Sequence, residues 1–108
     1  MSSGINEPGL SMEALDIHRA LASLQEELEA IDDYHQRADV SRGETLKAIM
    51  VHNRNDEMEH AAMLLEWLRR TLPAFDVQLK KFLFTTAPIN ETAAGVTSEG
   101  ARKGGLKP

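Results

Sequence analysis

Glu27, Glu57 and His60 are the residues of this chain whose types and spacing can do chemistry together. Glu57 and His60 form a Glu-x-x-His step, which on a helix sets both side chains on one face about a turn apart. The stripe they occupy, Leu46, Met50, Asn53, Glu57, His60 and Leu64, is apolar at both ends and polar in its middle. An unpaired carboxylate carried into an apolar stripe costs roughly several kcal/mol or gives up its charge, so acids there require a cation, a hydrogen-bonding network or water. Glu27 stands between Leu24 and Ile31 at three- and four-residue spacing and shares the edge of a second apolar stripe. Two carboxylates and one imidazole are a donor set for a hard divalent metal, with iron or manganese favoured and calcium or zinc as adventitious substitutes. With no cysteine in the chain, thiolate metal sites, disulfides and thiol nucleophiles are excluded.

The elements that must position these donors are helical. Ala, Leu, Glu, Gln, Met and Arg dominate Met12 to Arg70, and no strand-like alternation occurs, so the class is all-α. Ser11 can cap a first helix of roughly Met12 to Ala38, in which Ile17, Leu21, Leu24, Leu28 and Ile31 form one apolar stripe. Asp39 to Gly43 breaks the pattern, and Ser41 with Glu44 reads as a capping box for a second helix of roughly Glu44 to Arg70. Pro73 ends that helix and opens a short third one through Phe84. The short turn makes the two long helices antiparallel neighbours. With the turn centred near residue 42, Glu27 and Glu57 lie about equally far from it and so at one height.

Glu27 with Glu57-x-x-His60 is half of the ligand inventory of di-iron carboxylate bundles, in which two helices give one Glu each and two more give a Glu-x-x-His each. A two-fold pair of hairpins would complete both the ligand set and a four-helix bundle. Iron so held can pass electrons to dioxygen, with the protein supplying geometry and charge. The expected organisation is a flexible N-terminus over 1–11, a helical domain over 12–84 and a flexible tail over 85–108, whose Thr, Ala, Gly and Ser content cannot repay the entropy of ordering. That tail reads either as a linker or as a partner-binding peptide.

Length and charge narrow the classes further. At 108 residues there is room for one thinly cored domain. A net charge of -5 and a pI near 5.3 disfavour nucleic-acid and anionic-membrane partners, which need a concentrated basic surface. No apolar run is long enough to suggest a membrane span, and the first residues lack a signal-peptide pattern.

His18-Arg19-Ala20, Glu26 to Ala30, Tyr34, Gln36-Arg37, His52-Asn53-Arg54, Glu59 to Met63, Leu65 to Arg70 and Phe82 to Thr85 with Pro88-Ile89 together resemble the encapsulated ferritin family. The resemblance spans about Glu7 to Ile89. It implies a half-ferritin protomer of two helices plus a short third, paired into a ferritin-like four-helix bundle and assembled as a ring of dimers, commonly a decamer. It implies a ferroxidase with a di-iron centre between subunits, its iron ligands falling on Glu27, Glu57 and His60 and its nearby tyrosine on Tyr34. An acidic uptake site on the outer face maps to Glu26 and Glu29, although a solvated acidic face is an equal reading. Where the family has a tryptophan after this pair, the chain has Asp33, an added carboxylate that would strengthen attraction for divalent ions or hold them too long. The resemblance also implies iron storage inside an encapsulin nanocompartment in a bacterial or archaeal cytoplasm. The shell protein would be reached through a C-terminal peptide to which Gly104-Gly105-Leu106-Lys107 is a weak match.

Other residues read more simply. His18, His35 and His52 are surface or hydrogen-bonded groups, Met63, Leu64 and Trp67 are packing residues, and Asp56 and Glu59 are exposed or support the ligands. Two further functions fit the same residues: a divalent-metal-binding assembly protein without turnover, and a metal-free helical interaction module.

Overall fold

The structure is a computed structural model that describes residues 4–95. Four helices follow in chain order: α1 (Met12–Val40), α2 (Glu44–Thr71), α3 (Pro73–Phe82) and α4 (Ile89–Ala93), with no strand among the described residues. The all-α reading therefore holds. Two compact units divide the chain, one ending at Thr71 and one beginning at Leu72.

The first unit is the α1–α2 hairpin. Ser11 starts α1, its Oγ accepting from the Ala14 amide at 3.1 Å, and so serves one of the amides a helix start leaves unpaired. The helix continues two residues past its expected end, and this changes the role of Ser41. Rather than opening α2, Ser41 closes α1: its backbone N–H donates to the Arg37 carbonyl at 3.0 Å and its hydroxyl donates to the same oxygen at 2.6 Å. The capping-box reading is thus corrected. Because α2 begins at Glu44, the residue in the capping position is Gly43, whose carbonyl accepts from the Lys47 amide at 2.9 Å. Arg69 and Arg70 sit in the last turn of α2, where cations complement the negative helix end. Glu66 binds both, at 2.7 Å to each Nε, and the two guanidiniums hold its carboxyl down at about 2.

Packing within the hairpin is thin. Ala20, Ala38, Ala61 and Leu68 are its buried apolar residues, three of them with a single methyl side chain. The stripes predicted to face inward are only partly covered, with Leu21, Leu28 and Leu46 exposed. On α2, Leu46, Ile49, His60, Met63 and Trp67 fall on one line of three-, four- and eleven-residue steps and are all exposed. A helical stripe of this kind is hydrophobic surface that the single chain does not bury.

The second unit holds α3 and α4. Pro73 occupies the first turn of α3, where its missing N–H removes nothing. The helix stops at Phe82, two residues before the expected Phe84, because Phe84 takes a left-handed φ of 61° and the Thr85 hydroxyl donates to the Phe82 carbonyl at 2.7 Å. A further helix, α4, forms inside the stretch that composition reads as tail. Thr92, buried, sends its hydroxyl to the Pro88 carbonyl at 3.3 Å and anchors that turn. The expected shell-targeting segment at Gly104 to Lys107 lies outside the described residues.

Candidate metal centre

The hairpin brings Glu27 of α1 to the same height as Glu57 and His60 of α2, and one donor atom from each lies within 4.8 Å of the others. Among the described residues no other three His, Asp or Glu side chains gather so closely. His60 Nδ1 donates to Glu57 Oε1 at 3.0 Å and stands 3.4 Å from Glu27 Oε1. Both carboxylates are 24 % exposed and the imidazole 47 %. The helices place them so because Glu57 and His60 are one turn apart on α2, while Glu27 is the residue of α1 at matching distance from the bend.

The three groups shift one another's protonation. Glu27 is pushed above its ordinary value of 4.5, first by the hydrogen bond it shares with the Glu57 carboxyl, then by burial, then by the negative charge of Glu57. Glu57 moves the opposite way, held down chiefly by that shared hydrogen bond and further by His60. The imidazole is raised above 6.5, mainly by its hydrogen bond to Glu57 and by the charge of Glu27, against the opposing effect of burial. The opposite shifts of the two carboxyls follow from their mutual contact: one gains charge more readily at the expense of the other.

One oxygen marks what the cluster lacks. Glu27 Oε1 is buried and accepts no hydrogen bond. His60 Nδ1 is its polar neighbour, at 3.4 Å and without a formed hydrogen bond, and a divalent cation set between the carboxylates and the imidazole would satisfy the oxygen. Two hard oxygens and one imidazole suit iron or manganese by softness and charge. The donor set fits such an ion, and three protein donors leave coordination positions for further ligands.

The other predicted residues are distributed as follows. Tyr34 is half-buried on α1, with the Arg37 guanidinium 5.3 Å from its ring centre. Glu26, Glu29 and Asp33 are exposed and do not join the close cluster. His52 Nε2 pairs with Asp56 Oδ2 at 3.2 Å on the surface of α2. Sequence reasoning missed the partner of His35: Arg54 reaches across from α2 and places Nη1 3.1 Å from His35 Nδ1. No periodicity marks such a contact, since it depends on the tilt and rotation of two helices.

A helical hairpin that gathers Glu and Glu-x-x-His at one height carries a possible metal-binding group of the kind that carboxylate bundles use. The chain belongs to the EncFtn-like family, whose model matches residues 5–86. It is 50% identical over 90 residues to a "Ferritin-like protein" of Thermotoga maritima, covering 83% of this chain and 79% of that one. Identity is 46% over 99 residues with an "Encapsulated ferritin-like protein" of Rhodospirillum rubrum, covering 90% and 71%. An "Encapsulin nanocompartment cargo protein EncC" of Myxococcus xanthus is 33% identical over 84 residues, covering 73% and 65%. Among solved structures, the crystal structure of protein ne0167 from Nitrosomonas europaea superposes with a TM-score of 0.77 at 58% identity, covering 80% of this chain and 97% of that one.

Proposed function

We propose that the protein is a ferroxidase that takes ferrous ion as substrate, passes its electron to dioxygen and releases ferric ion for mineral storage inside an encapsulin shell. The observation that carries this reading is the gathering of Glu27, Glu57 and His60 around a buried, unbonded carboxylate oxygen. Iron supplies the one-electron chemistry when bound; the chain's own side chains bind it, set its distance and balance its charge. Each chain gives two carboxylates, so two copies give four negative charges, which match two ferrous ions. That balance supports a site shared between two copies paired into a four-helix bundle.

The exposed line of Leu46, Ile49, Met63 and Trp67 on either side of His60 supports pairing on this face, because it is apolar surface that a second hairpin would cover. Further assembly of such pairs into a ring, commonly a decamer, and an uptake role for Glu26, Glu29 and Asp33 are part of the same proposal. So is a positioning role for Tyr34 beside the centre. Residues 12–84 would carry the chemistry and residues 85–108 the docking to the shell. Relatives named as encapsulated ferritin-like and encapsulin cargo proteins support that destination.

The test follows the rise of ferric absorbance after ferrous ion is mixed with the aerobic protein, alongside oxygen uptake. His60→Ala should bring the rate to that of the uncatalysed reaction. An unchanged rate in that variant rejects the proposal, and metal-dependent pairing without oxygen uptake would make the protein a divalent-metal assembly module instead.

A further inference from the structure

Among the described residues, α1 meets α2 through the Glu27, Glu57 and His60 cluster and, outside it, through the Arg54–His35 hydrogen bond at 3.1 Å. Arg54 is half-buried and meets neutral groups on two sides. Its Nη1 faces His35 Nδ1 on α1, while Nε and Nη2 donate to Asn55 Oδ1 at 3.2 and 3.1 Å. Arginine carries no acceptor, so His35 must present a lone pair at Nδ1 and keep its proton at Nε2. The guanidinium is bound by Asn55 and aimed at His35 of α1, both of them exposed, so it spans the two helices along their solvent edge.

The three-residue connection over 41–43 sets the register of the hairpin, but the packing beyond it leaves the mutual rotation and spacing of the helices loosely defined. The buried apolar residues of α1 are Ala20 and Ala38, whose single methyl groups interlock little with a neighbour. A metal centre tolerates little rotation or parting, because its three donor atoms lie within 4.8 Å of one another and are carried by two helices. Arg54 stands one turn before Glu57 on α2, so a contact from it to α1 acts close to the donors. A polar pair between packed helices is a known way to select one arrangement among near-equals.

We propose that Arg54 and His35 are a positioning pair that holds α1 and α2 at the rotation and spacing at which Glu27 meets Glu57 and His60, so that the affinity of the centre for a divalent ion depends on their hydrogen bond. This rests on the reading of Glu27, Glu57 and His60 as metal donors. The pair touches neither metal nor substrate; it acts through the helices.

The test uses the full chain and cobalt(II), a redox-inert probe whose visible bands report the donor geometry. His35→Leu removes the acceptor at similar volume, Arg54→Met removes the donors but keeps the aliphatic stem, and His35→Gln restores an acceptor. Leu and Met should each weaken cobalt binding about tenfold, at the low end of what supporting residues contribute, while Gln stays within about twofold of the unaltered protein. Helical circular dichroism should be unchanged in all three. Without metal, amide exchange at Glu27 and Glu57 should rise with Leu and return to normal with Gln.

Unchanged cobalt affinity and exchange in His35→Leu and Arg54→Met would overturn the proposal while leaving the donor set intact. Loss that Gln does not rescue would also overturn it, since packing rather than the hydrogen bond would then be responsible. Failure of the unaltered protein to bind cobalt would overturn the donor reading and the positioning role with it.

Discussion

Replacing Glu27 by Gln should move stability and metal binding in opposite directions. In the metal-free hairpin Glu27 is held above its ordinary value of 4.5 by the shared hydrogen bond, burial and the Glu57 charge. A group raised in the folded state contributes its full stability below 4.5 and loses it as the pH climbs through the folded value, so at neutral pH the ionised Glu27 is a liability. Glutamine keeps the shape and a hydrogen-bonding oxygen, and it removes the repulsion from Glu57. The melting temperature of the metal-free variant should therefore stay level or rise. Metal binding runs the other way. Two copies of the unaltered chain offer four carboxylates, which neutralise two divalent ions; the variant offers two, which neutralise one. The expected stoichiometry falls from two ions per pair to at most one, with affinity lower by about a hundredfold, the upper end of the loss seen for residues that only support a ligand. Cobalt titration with elemental analysis gives the stoichiometry, and thermal melts in chelator give the stability. A variant that still takes two ions per pair, or one that melts well below the unaltered protein without metal, would refute the reasoning.

The remaining predictions concern pH and packing. Because His60 is raised above 6.5 and must lose its proton to ligate, metal affinity should fall steeply as the pH drops through and below its folded value, and a flat affinity between pH 5 and 8 in a pH-stepped cobalt titration would count against ligation by His60. The same shift has the opposite sign for folding: without metal, the stabilisation from protonated His60 is complete below 6.5 and disappears at higher pH. Glu66, held at about 2 by Arg69 and Arg70, contributes stability above 4.5 that is lost as the pH falls from there toward 2, so Glu66→Gln should flatten the acid limb of the stability curve read by circular dichroism. Leu68, with 0% of its surface exposed, should lose about 3 kcal/mol on truncation to Ala, a drop of roughly 15 °C in Tm, and a calorimetric shift below about 4 °C would show that its site collapses without penalty.

Much of the candidate centre was legible because its parts are local. The Glu-x-x-His step needs only a helix to put Glu57 and His60 together, and the polar interruption of an apolar stripe announces that those side chains have a purpose. Glu27 was reachable by one further step, since a short turn between two long helices makes height a matter of counting from the bend. Ser41 shows where such counting fails. Its spacing to Glu44 satisfies a capping box, yet two extra residues of α1 turn it into the cap of the preceding helix, and the choice depends on which helix claims the residues between.

Residue type and period alone determined that this chain is helical, where it bends, and which three side chains could hold a hard metal ion. Tertiary structure decided what local rules do not reach: that Glu27 Oε1 is buried without a formed hydrogen bond, that Arg54 crosses to His35, and that Phe84 turns into a left-handed conformation and ends α3 early. Helix periodicity specifies directions around one axis, whereas burial and cross-helix contacts depend on the tilt, rotation and register of two axes together. Those quantities are set by the sum of many weak contacts, and no single residue spells them out.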